Sequence, residues 1–476
     1  MVKRDMNHYH TGRLRKLSLL ISDVLLINLS ILIYNWLFLD FTLFDMGAGI
    51  PIVLVITCSI TTFTFYMFDL YSEWKRKSIK KLVLTVSIAV VTSYLIAIAS
   101  TMIYQPLLYT KGSILAFFAI QLLLLGLFRS IYWFVGRRTS GNKRVLVIGA
   151  NKEADLETIY KLLNHTQGWL ELESYLSAYE KPMLHYYLKK ADVIVLCPSL
   201  TREEKKEIMC ICSSRGLEVI MVPELEELLI QKSSLQQLDD MPVLSIKPFG
   251  ITNTQSFIKR IFDILVASML LIISSPVLLI LFVLIPLTSK GSALFKQERL
   301  GEYEKPYLLY KFRSMVNDAE KQTGPVLASD KDPRITPIGS FIRSTRLDEL
   351  PQLFNVLKGE MSLIGPRPER EFFINQFKSD TPNYAHRMAI KPGLTGLAQI
   401  LSNYSTSVEN KLRFDLLYIR NYSFFLDLKI LFQTVAVVLQ RDQAGGVKET
   451  EKGLKDQIQV IANEEKKNVK SLTQIQ

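Results

Sequence analysis

Four blocks of apolar residues fill most of the first third of the chain: Leu17–Leu39, Ile50–Phe68, Leu82–Tyr104 and Ser113–Val135. Each has the ~20 residues that a helix needs to cross a hydrocarbon core. The second and third carry no charge, while Asp23 and Arg129 lie near an end of the first and fourth. A charge so placed can snorkel to the interface or pack against another helix. For Asp23 the packing role is preferred to a functional one.

Basic residues set the orientation. Lys3, Arg4, Arg13, Arg15 and Lys16 precede the first block. Lys75, Arg76, Lys77, Lys80 and Lys81 separate the second from the third, and Arg137, Arg138, Lys143 and Arg144 follow the fourth. The other connections hold only Asp40, Asp45 and Lys111. If all four blocks span, every basic segment lies on one side. That predicts a multi-pass protein with the N-terminus, the loop in the 70s and everything after Gly136 in the cytoplasm. Leu17–Leu39 is too long for the apolar core of a signal peptide, and no small-residue cleavage pattern follows it.

The whole chain of 476 residues has room for two to four folding units at roughly 150 residues each. With 49% hydrophobic residues it is not disordered, and four cysteines are too few for a disulfide-stapled module. The formal charge is +12, and no nucleic-acid partner is expected.

After the apolar blocks the pattern changes. Lys143-Arg144-Val145-Leu146-Val147-Ile148 reads as a buried strand entering a turn at Gly149, followed by an amphipathic stretch, Glu153–Asn164. The runs Ala191–Cys197 and Gly216–Val222 alternate with a helical pattern over Arg202–Ser213. Strand–helix alternation predicts a parallel sheet with helices on it, a small Rossmann-like domain over 141–245. Its glycine fingerprint is incomplete: Lys152 and Ala154 stand where a dinucleotide site needs glycine. A structural or regulatory domain is therefore preferred to one that binds NAD. Cys210 and Cys212 point apart on a helix and read as packing residues. The tail, 446–476, is polar.

A fifth block, Ile264–Leu287, has 24 residues without a charge and carries Ser275-Pro276 at its midpoint. The proline removes one helical hydrogen bond, and the serine hydroxyl can satisfy the freed carbonyl. From the pattern alone, a kinked fifth span and a re-entrant helix-break-helix over 256–290 are equally acceptable.

The region 291–445 is dense in Arg, Lys, Gly and Pro. Lys311 and Arg313, two apart in a strand-like run, should share a face. Arg334, Arg343, Arg346 and Arg367 add fixed charge, and arginine grips phosphate oxygens in a bidentate fork. Within this cluster lies the adjacent acidic pair Asp348-Glu349, followed by Pro351 and an apolar helical pattern. A helix start favours ionised carboxylates. An ionised Asp can attack phosphorus and a neighbouring carboxylate can hold Mg²⁺, with Asp348 and Glu349 as the candidate ligands.

The run 258–440 resembles the bacterial sugar transferases, the polyprenyl-phosphate hexose-1-phosphate transferases. The resemblance rests on Lys259-Arg260-Ile261-Phe262-Asp263, Ser275-Pro276, KFRSM at 311–315, DPRIT at 332–336, LDELPQLFNVLKGEMSLIGPRPE at 347–369 and KPGLTGLAQ at 391–399, all in order. The spans and the α/β domain are similar to the large, galactose/glucose-phosphate type. The resemblance implies a mostly α, monotopic catalytic domain at the cytoplasmic face of the bacterial inner membrane, with a re-entrant helix. It implies attack of Asp348 on the sugar-bearing phosphorus of a UDP-sugar, release of UMP, and transfer of the phosphosugar to undecaprenyl phosphate, the first lipid-linked step of exopolysaccharide, capsule or O-antigen assembly. Glu349 is then the expected Mg²⁺ ligand. A homo-oligomer, a dimer, is expected from the large N-terminal region. After Gln399 the chain continues Ile400-Leu401-Ser402-Asn403-Tyr404, without the basic residue often found there, which bears on sugar preference.

Two rival readings remain. Asp330-Lys331-Asp332 has the D-x-D form of a glycosyltransferase that would release UDP. A non-enzymatic membrane scaffold would bind a nucleotide at the incomplete glycine loop.

Overall fold

The computed structural model describes residues 3–440 except 39–48, 73–77, 104–110, 141, 152–154, 156–157, 160–161, 163–169, 177–180, 317–331, 333, 382 and 403–405. The polar tail, most of the amphipathic stretch after Gly149, Asp330 and Lys331 lie outside the described residues. The chain divides into two compact units, one up to Val222 and one starting at Pro223.

In the first unit, α1 (Lys3–Phe38), α2 (Gly49–Met67), α3 (Ile79–Ile103) and α4 (Lys111–Ser140) form a bundle in which each helix packs on two others. Within them Leu14–Phe38, Ile79–Ala99 and Leu115–Thr139 are long and apolar enough to cross a membrane, and Val55–Met67 is a shorter apolar helix. Asp23 and Arg129 are both buried and ion-paired across α1 and α4; Arg129 also donates to the carbonyl of Leu70. Asp23 thus ties helices together. A second polar contact, Gln121 Nε2 to Thr61 Oγ1 at 3.2 Å, joins α4 to α2. Such bonds hold helices where apolar packing alone would not discriminate helix from lipid.

The same unit contains a parallel sheet of β1 (Lys143–Ile148), β2 (Leu170–Leu176), β3 (Val193–Leu196) and β4 (Glu218–Met221), in the order β2-β1-β3-β4. α5 (Lys181–Tyr187) and α6 (Arg202–Arg215) lie in its connections. The central strands β1 and β3 are buried apolar runs, covered on both faces, while β2 carries exposed Glu171 and Glu173. α6 opens on a capping box between Thr201 and Glu204 and ends at Gly216 in the left-handed region, φ +66°. Cys212 is buried and Cys210 exposed, as their spacing predicts. The strand order reverses between β1 and β3, where a ligand would bind in such a sheet. That place is filled: a Cβ on Gly149 would lie 1.8 Å from Asp155 Oδ2. Tyr175 and Ser199 donate to the same carboxylate oxygen. A carboxylate above the glycine opposes an approaching phosphate, which favours a structural role.

The second unit holds α7 (Leu225–Ile230), a hairpin of β5 (Ser234–Leu238) and β6 (Met241–Ser245), α8 (Asn253–Thr288), an antiparallel pair β7 (Leu294–Leu300) and β8 (Pro306–Phe312), α9 (Pro337–Ser344) and α10 (Gln352–Lys358). It continues through β9 (Ser362–Ile364), α11 (Glu371–Asp380), β10 (Gly393–Thr395), α12 (Leu397–Leu401), α13 (Val408–Arg420) and α14 (Phe424–Gln440), with β9 and β10 paired in parallel. Residues 223–245, read from the sequence with the α/β domain, belong to this unit. Leu228 packs in its core, and Arg420 donates to the carbonyls of Gln231 and Lys247.

α8 is the beam on which this unit is built. It is 36 residues long, about 54 Å at 1.5 Å per residue, and also meets the length and hydropathy of a span. Three charged residues pin its first half. Lys259 Nζ donates to Asp427 Oδ2 of α14 at 2.6 Å, and Arg260 donates to the last carbonyls of α10, Val356 and Leu357. Asp263 accepts from Ser362 Oγ and Leu363 N of β9 at 3.0 Å. Ser275 Oγ donates to Ile272 O at 2.8 Å, the carbonyl that Pro276 deprives of its usual partner. Beyond the proline, Leu281 and Ile285 join a second core cluster with Phe312 and Ile342.

Lys259 and Asp427 are both buried, with side-chain exposures of 6% and 1%. Asp427→Ala strands an unpaired ammonium and should destabilise the protein by about 3–5 kcal/mol, lowering the midpoint of thermal unfolding in detergent. Adding Lys259→Met should recover most of that loss. A double variant no more stable than the single one would show that the two charges are not coupled.

Candidate active site

The acidic pair occupies a 3₁₀ turn, Leu347–Glu349, between α9 and α10. Arg346 enters the turn at φ +55°, in the left-handed region that non-glycine residues rarely adopt. Its guanidinium lies 3.8 Å from Glu349 Oε2, three residues on. Lys311, near the end of β8, brings its ammonium within 3.6 Å of Glu349 Oε1. Arg367 follows β9 and donates to Glu349 Oε1 at 2.7 Å.

The loop carrying Arg367 is clamped by the segment around β10. Gly365 N donates to Thr395 O and Gly393 N to Pro366 O, both at 2.9 Å. A Cβ on Gly393 would meet Gly365 N at 2.0 Å, and one on Gly365 would meet Lys391 O at 2.4 Å. Two backbones touch here, and only glycine leaves room. The GPRP and KPGLTG stretches, far apart in sequence, are thus two sides of one support.

The two carboxylates are treated unequally. Burial opposes ionisation of Glu349, but Arg367, Lys311 and Arg346 outweigh it and hold its carboxyl well below the usual range. Asp348 is half-buried, and its carboxylate has no hydrogen bond or ion pair among the described residues. Burial, reinforced by the charge on Glu349, pushes it up to about 6, against the pull of Lys311, Arg343 and Arg367. The helix start that should favour both anions is outweighed at Asp348 by desolvation. One carboxylate is a fixed anion locked in cations, and the other is a free oxygen donor that titrates near neutrality. Environments that separate a pair in this way assign its members different roles.

Of the predicted cations, the structure gathers Lys311, Arg346 and Arg367 on Glu349, and Arg343 acts electrostatically on Asp348. Arg313 is not among the contacts of the pair. β8 ends at Phe312, so the alternation that should align it with Lys311 stops one residue short. Its guanidinium donates to the Ser289 and Lys290 carbonyls and closes the end of α8. Arg334 forms a bidentate pair with Asp332 at 2.8 and 2.6 Å. Both oxygens of Asp332 are thereby engaged, which weakens the D-x-D reading. Ser275 and Pro276 lie within α8.

Two further arginines contribute without any signal in the local sequence. Buried Arg387 donates to Arg367 O at 2.9 Å, to Asp415 Oδ2 at 2.8 Å and to Tyr384 Oη at 2.7 Å. Arg299 donates to Pro368 O at 3.3 Å. Together they hold the backbone that aims Arg367. Asp415 lies 28 residues from Arg387, and no local pattern joins them.

Among the described residues, no group of three or more His, Cys, Asp or Glu side chains could enclose a metal ion. Asp348 and one oxygen of Glu349 form the available donor set. That suits Mg²⁺, which is commonly held by one or two carboxylates with substrate phosphates and water completing its shell.

The sequence profile described as Bacterial sugar transferase matches residues 254–441. Over 65% of this chain and 70% of the relative, the sequence is 35% identical to a protein of Aeromonas hydrophila named UDP-N-acetylgalactosamine-undecaprenyl-phosphate N-acetylgalactosaminephosphotransferase. It is 40% identical to the UDP-glucose:undecaprenyl-phosphate glucose-1-phosphate transferase of Klebsiella pneumoniae, over 46% of this chain and 48% of that one. A Bacillus subtilis protein named putative undecaprenyl-phosphate N-acetylgalactosaminyl 1-phosphate transferase is 53% identical over 28% of this chain and 73% of its own length. The chain thus spans about half the length of the Klebsiella relative and more of the other two.

The electrostatic assignment can be tested by difference infrared titration. The wild type should protonate one carboxyl near pH 6 that Asp348→Asn removes. Arg343→Gln removes a cation that opposes protonation, so it should move the step to higher pH. Persistence of the step in Asp348→Asn would overturn the assignment.

Proposed function

Because the chain belongs to the bacterial sugar transferase family, we propose that it transfers a sugar 1-phosphate from a UDP-sugar to undecaprenyl phosphate, giving undecaprenyl-diphosphate-sugar and UMP. The observation that carries this reading is the free carboxylate of Asp348 beside the cation-locked carboxylate of Glu349. Ionised Asp348 attacks the phosphorus that bears the sugar. The bond from that phosphorus to the bridging oxygen breaks, and UMP leaves with the electron pair. The acyl-phosphate so formed keeps the sugar phosphate on the enzyme. A phosphate oxygen of undecaprenyl phosphate then attacks the same phosphorus, and the Asp348 carboxylate leaves.

Lys311, Arg346 and Arg367 supply fixed positive charge where a pyrophosphate would lie, at no cost of reorganisation during reaction. Their charge is only partly spent on Glu349, three cations facing one anion. Arg343 adds a further cation towards Asp348. Mg²⁺, held by Asp348 and Glu349, would neutralise substrate phosphate charge.

The membrane arrangement is part of the proposal. Residues 256–290 are read as re-entrant, with catalysis at the cytoplasmic face of the inner membrane. Support comes from α8 itself, because segments on both sides of Pro276 dock on the same compact unit. Self-association is supported by the β5–β6 hairpin, whose cross-strand pairs Leu235–Leu244 and Leu238–Met241 are exposed.

With UDP-sugar and Mg²⁺ but no acceptor, the purified protein should release UMP and gain the mass of one phosphosugar on Asp348. A panel of UDP-hexoses and UDP-N-acetylhexosamines identifies the donor. Asp348→Asn should lower turnover by at least about a thousandfold. Release of UDP in place of UMP would overturn the phosphotransfer reading. Since the nucleophile must be ionised, kcat/KM should fall about tenfold per pH unit below about 6. A profile flat to pH 5 would remove Asp348 from that role.

A further inference from the structure

An apolar groove of about 450 Å³ runs between the half of α8 beyond Pro276 and α9. That volume lies within the 300–1,000 Å³ of ligand clefts. Ile280 and Leu284 of α8 form one wall, Ile338 and Phe341 of α9 the other, and Leu347 also lines it. The α8 residues recur at helical spacing, so they form a continuous stripe on one face. Beneath them Leu281, Ile342 and Phe312 are buried and fix the floor. The walls are not covered by protein: Ile280 and Phe341 are 61% and 60% exposed.

What distinguishes this groove from the rest of the apolar surface of α8 is where it ends. Leu347, one of its lining residues, precedes Asp348 in the chain, so the groove reaches the turn that carries the carboxylate pair and the cations Lys311, Arg346 and Arg367. An apolar slot leading into a cationic site is complementary to an amphiphile with an anionic head and a hydrocarbon tail. Of the two substrates, only the lipid acceptor has that form. Resting on the reading above, we propose that the groove binds the isoprene units next to the phosphate of the acceptor, with Leu284 and Phe341 as its specificity-determining contacts. The nucleotide sugar, which has no apolar tail, does not use it.

The proposal separates the two half-reactions. Leu284→Trp fills the groove, and Phe341→Ala removes a wall at an exposed position, where folding tolerates the change. Each variant should raise KM for undecaprenyl phosphate by about tenfold or more. Single-turnover release of UMP without acceptor should stay at the wild-type rate. Farnesyl phosphate, which retains only the units nearest the phosphate, should show the same penalty. If KM for both acceptors is unchanged, the groove is merely a surface facing membrane lipid and the proposal fails. If UMP release slows in parallel, the groove supports the turn of Asp348 structurally, and the proposal also fails. If the wild type releases no UMP and forms no adduct, the phosphotransfer reading itself falls.

Discussion

Two adjacent carboxylates withdrawn from water repel each other and lose solvation, and they cannot both remain ordinary anions. The active site resolves this by giving the cations to one of them. Arg367, Lys311 and Arg346 all reach Glu349, while Asp348 keeps its oxygens free and its proton affinity raised. Most of the geometry around the pair serves that partition. The left-handed residue at Arg346 folds its guanidinium back on Glu349. The glycine contact between Gly365 and Gly393 fixes the loop that aims Arg367, and Arg387 holds its carbonyl from behind. A carboxylate beside cations would usually be ion-paired. Among the described residues Asp348 is left unpaired because its neighbour absorbs the charge.

The second dependence is on α8. Lys259, Arg260 and Asp263 occupy successive positions around one helical turn, and each reaches a different element: α14, α10 and β9. Two of those elements follow the acidic turn in the chain. α10 begins just after it, and β9 leads into the Arg367 loop. The long apolar helix and the elements next to the acidic turn are thereby coupled through buried polar contacts, not through apolar packing alone. The cost of burying charges makes each contact sensitive to loss of its partner.

The sequence made some of this plain and hid the rest. Long apolar blocks with at most one charge announce the bundle helices, because a run of that length is too long for one buried helix of a small soluble core. Continuous apolar runs announce the buried parallel strands. Asp348 and Glu349 stand out as an acidic doublet in a basic field, and the Ser275 hydroxyl takes the carbonyl that Pro276 frees. Arg313 lies with the end of α8 and not with Lys311, because strand alternation gives a face only while the strand lasts, and β8 ends one residue earlier. Arg334 pairs with Asp332, two residues away, a local contact that a count of arginines does not show. Arg387 and Asp415 were not legible at all, since their pairing depends on tertiary closure. Nor could composition show that Asp155 fills the space above Gly149.

The length of α8 bears directly on how this unit meets a membrane. From Lys259 to Ser289 is 30 residues, about 45 Å of straight helix, more than the ~30 Å of a hydrocarbon core. Yet Lys259 is bound by Asp427 at one end, and Ser289 by Arg313 at the other, and both partners belong to one compact unit. A helix crossing the bilayer would deliver those ends to opposite surfaces, and the polar residues that cap them would have to follow. A helix that returns, or lies along the surface, keeps both ends with their partners. On both sides of Pro276 the outer face of α8 is exposed: Leu265 and Ile272 are 64% and 74% exposed, and Leu279 and Leu287 are 69% and 76% exposed. That outer face suits contact with lipid, while Lys259 and the Ser289 carbonyl keep the same helix bound to polar groups of its own unit.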